Sequence, residues 1–323
     1  MKPFLFAFAA VALALGAAAD GLDTVIPAYE AYVQTVSPDV AAREEDRTPD
    51  RWQDVRPEVI AGQADRARAL LEDVQKAETS REIDRAILIR LLKSDIMFAE
   101  TDAARIPFTG DWGFQAEPVF AAMRTQLDSA EDAEAWVARL KDVPRYFAQN
   151  LDNMRRGIDT GWTAHSDPLQ TVIDQIREQI MDDPSESALY APFKTLPEEL
   201  DPEVAARLKA EGLRATAGAI AAYLDVWRFL EIEYRPYVRQ GAGIAALPNR
   251  QAVYAAAVEH YTAGAGYSAE DIHALGLTEV ARIRSEMEAI IAEIGFEGSF
   301  AEFLAYLRSD PQFYARSADE LMA

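Results

Sequence analysis

Helical periodicity runs along almost the whole chain and constrains its fold more than any other feature. Long stretches are rich in Ala, Leu, Arg and Glu, which favour helices, and their apolar residues recur every three or four positions. No stretch shows the alternation of apolar and polar residues that marks a half-buried strand, and no repeat or Ser/Gly-rich linker divides the chain. The sequence therefore predicts an all-α, multi-helix array that occupies residues 20–323.

Breaks in this periodicity predict where several elements end. Residues 105–118 combine Pro, Gly and aromatic side chains and predict a packed loop. Pro144 suits the first turn of a new helix, because the missing N–H of proline is not needed there. Residues 202–234 predict the longest helix, in which Gly212 and Gly218 mark close packing or a bend.

At four predicted helix starts a Ser or Thr is followed three positions later by a carboxylate. This spacing fits a capping box, in which two side chains satisfy the first N–H groups of a helix. The pairs are Thr79 with Glu82, Ser268 with Asp271, Ser299 with Glu302, and Ser317 with Glu320. After Ser268, apolar residues recur at helical spacing as far as Gly295, which is a natural helix stop. This apolar stripe consists of Ile272, Leu275, Val280, Ile283, Met287, Ile290 and Ile294.

The chain has three histidines and no cysteine, which limits the chemistry that can be assigned to it. His260 and His273 flank a glycine-rich turn, but a zinc site usually takes three or four ligands, and no H-E-x-x-H motif occurs. Helix capping already explains the residues around His273. Glu231 and Glu233 suggest a glycosidase pair, but residues two apart point to different sides of a helix. We therefore assign no catalytic residue and no metal ligand within this chain.

The charge balance is strongly acidic. The chain has 32 Lys and Arg against 54 Asp and Glu, which gives a net charge of −22. Such a surface repels phosphate backbones and anionic lipid headgroups, so we expect neither nucleic-acid binding nor a polybasic membrane patch. Because the sequence contains no cysteine, we also expect neither disulfides nor a lipid-modified cysteine.

The first 19 residues have the layout of a cleavable secretory signal. Lys2 supplies positive charge, residues 3–16 are apolar, and small residues precede Asp20, so cleavage is predicted after Ala19. No later stretch approaches the roughly 20 apolar residues of a membrane span. We therefore expect a periplasmic or secreted protein that is not held in the membrane after signal cleavage.

Several separate segments carry a family resemblance. They are ARIPFTGDWGF, GIDTGWT, LYAPF, and most of residues 246–321, which include ALPNRQAVY and YSAEDIHALGLTEV. Together they resemble the bacterial family called domain of unknown function 885 over most of the mature chain. Two departures occur. Arg250 follows Asn249 where relatives often carry glycine, and AHSDP lengthens the segment after Thr163, which makes His165 an inserted loop residue.

The resemblance implies an α-helical protein related to zinc metallopeptidases. The zinc signature of such proteins is of an H-E-x-x-P-G-H type, followed by a glutamate in an E-G-W-A-L-Y-like segment. Neither motif occurs in this sequence, so no zinc ligand or catalytic glutamate is carried over to any residue. Moreover, the capping box at Ser317 opens a helix that ends within two turns, too short to be stable alone. We expect an incomplete N-terminal half of a larger protein, with zinc present only in the intact protein.

On this interpretation the chain forms one wall of a peptide-substrate cleft and is inactive alone. Tyr254 and His260 are the candidate cleft residues; the hydroxyl of Tyr254 would donate a hydrogen bond to substrate, although helix packing explains the same residue. A non-enzymatic periplasmic binding or scaffold protein is the alternative, because it needs no catalytic motif. An α-helical glycosidase or lyase is a third, and it requires carboxylates that converge in an aromatic-lined cleft. The oligomeric state stays open.

Overall fold

The computed structural model describes residues 20–241 and 243–322, and these residues form helices joined by loops, with no β-strand among them. The predicted all-α fold class is confirmed, and the predicted signal, residues 1–19, lies outside the described residues. The α-helices of the described part are α1 (Leu22–Val36), α2 (Pro38–Glu44), α3 (Pro57–Lys76), α4 (Glu82–Glu100), α5 (Glu117–Arg124), α6 (Ala130–Thr160), α7 (Ser166–Glu178), α8 (Pro202–Arg228), α9 (Arg250–Tyr261), α10 (Ala269–Glu293), α11 (Phe300–Ser309) and α12 (Ala318–Met322).

The described residues form two compact units, and the division between them falls after Ala256. Short 3-10 turns connect several helices of the first unit, and a π-helical segment, Phe229–Tyr234, extends α8. The predicted long helix over residues 202–234 is therefore present, with a wider last turn. No helix of the described part is long and apolar enough to cross a membrane.

The main core of the first unit lies where α6 packs along α8. Trp136 and Phe147 of α6 share a buried cluster with Tyr223 and Val226 of α8. The rings of Phe147 and Tyr223 meet edge to face, with centroids 4.9 Å apart. Gly212 of α8 allows Phe193 to approach, because a Cβ at this position would lie 2.5 Å from the Phe193 ring.

Pro144 does not start a helix, so this prediction is wrong: α6 runs without interruption from Ala130 to Thr160. A proline inside a helix removes one backbone N–H donor and costs about 3 kcal/mol. The neighbouring Leu140, Val143 and Phe147 are buried. Burial of such side chains contributes about 1.5–3 kcal/mol each, which exceeds the cost of the proline as long as all three stay on one helix.

The capping box predicted at Thr79 is also wrong. Its hydroxyl donates to the Asp20 carboxylate at 2.8 Å and accepts from the Arg81 N–H at 2.9 Å, and α4 has no side-chain cap. The Thr79 hydroxyl therefore accepts from Arg81 where the local pattern predicted that it would accept from Glu82, and it donates to Asp20 from another part of the chain. The boxes at Ser268 and Ser299 are confirmed in full. At Ser317 only half of the box forms: its hydroxyl accepts from the Glu320 N–H at 3.1 Å.

A second, smaller core joins α1, α3 and α4 within the first unit. Leu22 and Tyr32 of α1 pack with Val74 of α3 and with Leu88 and Leu92 of α4. Tyr32 is almost wholly buried, and its hydroxyl donates to Asp95 of α4 at 3.0 Å.

The second unit contains α10 and α11, which contact each other, and a small aromatic cluster joins α11 to the loop that precedes it. Phe296 meets Phe303 and Tyr306 at centroid distances of 5.1 and 5.4 Å. Gly295 takes a left-handed φ of 70° immediately after α10, so its predicted role as a stop is confirmed. Most of the apolar stripe of α10 is exposed, by 36–67%: Leu275, Val280, Ile283, Met287, Ile290 and Ile294.

Candidate ligand-binding cavity at the start of α9

Three segments that are distant in the sequence meet in the first unit around a cavity of about 600 Å³. Small-molecule sites typically enclose roughly 300–1,000 Å³. The walls are the end of α4, the loop residue Arg105, Trp162 after α6, and the first turns of α9. Arg105, Trp162 and Asn249 belong to the segments ARIPFTGDWGF, GIDTGWT and ALPNRQAVY, which carry the family resemblance.

Several neighbouring residues hold the side chain of Arg105 in the wall of the cavity. Its guanidinium lies over the Trp162 ring, with Cζ 4.3 Å from the centroid, a cation–π geometry. Its Nη1 donates to the Thr160 hydroxyl at 2.9 Å, and its Nη2 donates to the Thr101 carbonyl at 3.0 Å. Burial lowers the pKa of the Arg105 guanidinium, but an arginine stays protonated at neutral pH. The wall therefore carries a fixed positive charge.

Asp102 holds this arrangement together. It has a left-handed φ of 51°, a conformation that Asp tolerates better than most residues. Its carboxylate accepts from Arg156 and pairs with the Nε of Arg105 at 3.2 Å. Arg156 lies on α6, so its bond to Asp102 ties the loop to that helix, and it also donates to Asn153 of α6 at 2.9 Å.

The GIDTGW segment needs its glycines for two different reasons. Gly161 ends α6 with a left-handed φ of 73°. Gly157 lets the chain fold back closely: the Trp162 N–H donates to the Gly157 carbonyl at 2.7 Å. A Cβ on Gly157 would lie 2.5 Å from the Trp162 carbonyl oxygen and 3.0 Å from that of Arg105. The close approach at Gly157 therefore helps to position both Trp162 and Arg105 in the cavity wall.

The start of α9 supplies the remaining wall. Asn249 takes a left-handed φ of 55°, and its carbonyl accepts from the Val253 N–H at 3.2 Å. Asn249 itself makes the turn, so Arg250 can begin the helix. Arg250 is exposed and forms no ion pair within the described part of the chain, whereas Glu100 on the opposite wall pairs with Arg68 at 3.0 Å. The available charge of the cavity is therefore positive, and it suits a ligand with a carboxylate.

The residues proposed from the sequence lie elsewhere. Tyr254 is on α9 and 46% exposed, but it is not part of the cavity wall. His260 belongs to the second unit, where its ring meets Tyr261 edge to face at 5.0 Å. His273 is exposed on α10. His165 is the N-cap of α7, with its Nδ1 accepting from the Asp167 N–H at 3.2 Å, so it has a structural role in the inserted segment.

No three His, Cys, Asp or Glu side chains come together in residues 20–241 and 243–322 in a way that could hold a metal ion. The described residues therefore provide no group of ligands that could hold the zinc ion that the resemblance implies for the intact protein. Glu231 and Glu233 do not form a carboxylate pair either. Glu231 pairs with Arg235 at 2.8 Å, and Glu233 pairs with Arg155 at 3.1 Å.

The described part of the chain is therefore an all-helical protein with a basic, ligand-sized cavity and without an assembled metal centre. Its sequence matches the model of one family over residues 38–323, and the chain belongs to that family, described as bacterial protein of unknown function (DUF885). No curated protein matches the chain at a significant level.

The fold is shared by a solved structure. It is described as "the putative lipoprotein from Colwellia psychrerythraea" and superposes with a TM-score of 0.77 at 17% sequence identity. The match covers 94% of this chain and 57% of that chain. The chain therefore spans little more than half the length of this structural relative.

Proposed function

We propose that this chain is the helical, non-catalytic portion of a larger exported zinc metallopeptidase of its family. The observation that carries the proposal is the difference in length between the two chains. The match includes 94% of this chain but only 57% of the structural relative. The peptidase chemistry itself rests on the family resemblance.

The chain contributes substrate contacts in this proposal. The α9 cavity holds one end of a peptide, and the exposed guanidinium of Arg250 pairs with a carboxylate of that peptide. Arg105 already contacts four neighbours, Asp102 among them, and keeps Trp162 in place as a rigid wall. Tyr254 and His260 stay proposals as further contacts.

Export is part of the same proposal. It is supported by the layout of residues 1–19, which resembles a cleavable signal, and by the description of the structural relative as a lipoprotein. Measuring where the protein accumulates, and sequencing its mature amino terminus, tests this point. Retention of residues 1–19 in a cytoplasmic product would contradict it.

The purified chain tests the catalytic half of the proposal. We expect no stoichiometric zinc by elemental analysis and no hydrolysis of a mixed peptide library followed by mass spectrometry. Robust peptidase activity that a chelator abolishes, obtained from the pure chain, would overturn the proposal. The coding DNA beyond Ala323 supplies the complementary test, since a downstream zinc signature supports a peptidase.

A non-enzymatic binding protein is the second candidate, and the α9 cavity favours it because this chain forms that cavity alone. The two candidates differ in the longer locus product. If no zinc signature follows Ala323 and the chain binds peptides without cleaving them, the binding protein is the better description.

A further inference from the structure

A second cavity, of about 470 Å³, lies in the first unit between the small core and the loop before α5. None of its wall residues takes part in the α9 cavity. Its lining is mainly apolar and includes Val36 of α1, Ile60 and Ala64 of α3, and Val55 and Ile106 from loops. Concave apolar spaces of this size with a few fixed polar groups are the usual form of small-molecule sites.

The two carboxylates in the wall of this second cavity differ in how fully they are paired with other groups. Asp102 lies in the wall, but Arg156 and Arg105 already pair with its carboxylate. Asp95 also lies in the wall and accepts one hydrogen bond, from the hydroxyl of the buried Tyr32 at 3.0 Å. It pairs with no cation in the described part of the chain. Arg66, whose Cζ lies 5.9 Å from the Tyr32 ring centroid, donates to Thr35 instead.

An isolated carboxylate in such surroundings is unfavourable. Burial raises the pKa of Asp95, and the hydrogen bond from Tyr32 offsets this only in part. Charged groups that lose water in proteins are normally paired or strongly hydrogen-bonded. A cationic ligand would complete the pairing, while the apolar lining would contact the remainder of the ligand.

We propose that this cavity binds a small primary amine with an aromatic or branched aliphatic body, whose ammonium group pairs with the carboxylate of Asp95. Tyr32 keeps its hydrogen bond to Asp95 and orients the carboxylate toward the ligand. The site does not depend on the peptidase proposal, because Asp95 and the apolar lining around it take no part in the α9 cavity. A free amine and the first residue of a peptide share this chemistry.

Titration calorimetry of the purified chain tests the proposal with four probes. Phenethylamine represents a free amine, and phenylalanine amide represents an amino-terminal residue. 2-Phenylethanol and 3-phenylpropionate have similar bodies without the positive charge. We expect one or both amines to bind, and the alcohol and the acid to bind at least about tenfold more weakly, because only the amines pair with Asp95. Tighter binding of phenylalanine amide would identify the peptide terminus as the better ligand.

Two variants locate the site. Asp95→Asn should weaken amine binding at least about tenfold, whereas Asp84→Asn, on the same helix but outside the cavity wall, should leave it unchanged. Ala99→Leu fills the cavity from the α4 side and should also reduce binding. Circular dichroism confirms that each variant is folded. Failure of both amines to bind at millimolar concentration, equal binding of the alcohol, or unchanged binding by Asp95→Asn would overturn the proposal.

Discussion

Single residues set how closely the walls of the α9 cavity approach each other. Gly157 has no side chain at the point where two backbone carbonyls come within 3.0 Å of the position that a Cβ would take. Arg105 then fills the space above Trp162. The geometry of the cavity is therefore sensitive to a single methyl group that lies behind its surface.

Replacing Gly157 with alanine should lower the free energy of unfolding by about 1–2 kcal/mol, because the new Cβ forces the backbone apart. Gly218→Ala is the matched control, since no atom lies within 4 Å of a Cβ there and α8 gains helix propensity. We expect this control to be neutral or more stable by about 0.5–1 kcal/mol. Urea unfolding measures both. Equal values for the two variants would contradict the close approach at Gly157.

Glu117 is a partly buried carboxyl group at the start of α5. Burial raises its pKa, while the Tyr146 hydroxyl, which donates at 3.3 Å, opposes that shift. Between the ordinary glutamate pKa and the raised folded value, the folded state keeps a proton that the unfolded state has lost. This contribution to stability is fully present below the unfolded pKa and is lost as the pH rises through the folded pKa.

Glu117→Gln should therefore remove part of the decline in stability as the pH rises above the ordinary glutamate pKa, because the amide does not ionise. Chemical unfolding across this pH range measures the effect. Glu198→Gln, at an exposed position in a loop, serves as the control and should follow the wild-type profile. A profile for Glu117→Gln that is parallel to the wild type would contradict the raised pKa.

At the scale of whole elements, helix starts depend on whether the capping residue has a competing partner. Ser268 and Asp271 cap α10 reciprocally, with the Asp271 N–H donating to the Ser268 hydroxyl at 3.1 Å and the Ser268 N–H donating to the carboxylate at 3.0 Å. These bonds lower the pKa of Asp271. The same spacing at Thr79 does not form a cap, because the Thr79 hydroxyl oxygen accepts from the Arg81 N–H instead of the Glu82 N–H, while its proton goes to Asp20.

Ser268→Ala should destabilise α10 by about 1 kcal/mol through loss of the cap. Ser285→Ala, in the exposed interior of the same helix, removes an identical side chain and should slightly stabilise it. Thermal unfolding of the chain, with helix content followed by circular dichroism, separates the two. If Ser285→Ala is the more harmful change, the cap does not act as described.

The helices of this fold can be predicted from the sequence better than the α9 cavity can. Helical periodicity gives the fold class, and local capping gives the starts of α10 and α11, because both depend on neighbours in the sequence. Pro144 misleads because its cost is offset by burial that only the tertiary fold supplies. The α9 cavity is not visible in the sequence, because Arg105, Trp162 and Asn249 are brought together only by folding.

At the scale of the whole molecule, an acidic surface coexists with an exposed apolar helix face. The net charge of −22 favours solubility, whereas the α10 stripe offers apolar area that the described chain leaves uncovered. Periodicity predicts that such a face exists but not what lies against it. In the proposed larger protein, further polypeptide would cover it.

An environment-sensitive apolar dye should therefore bind the chain through α10. Ile283→Lys combined with Ile290→Lys should reduce its fluorescence by roughly half, since both side chains are about half exposed at the centre of the stripe. Thr278→Lys combined with Ser285→Lys adds the same charge at polar positions of the helix and controls for electrostatic effects. An equal reduction by both pairs would show that the dye responds to charge and not to the stripe.

The pairing of α6 with α8 has a consequence for synthesis. The two helices are separated by roughly 40 residues, which a ribosome adds in roughly 2–8 s at about 5–20 residues per second. During this interval the apolar face of α6 has been made but its partner has not. A molecular chaperone that recognises nascent apolar helices should therefore bind α6 more than any other part of the first unit, and release it when α8 emerges.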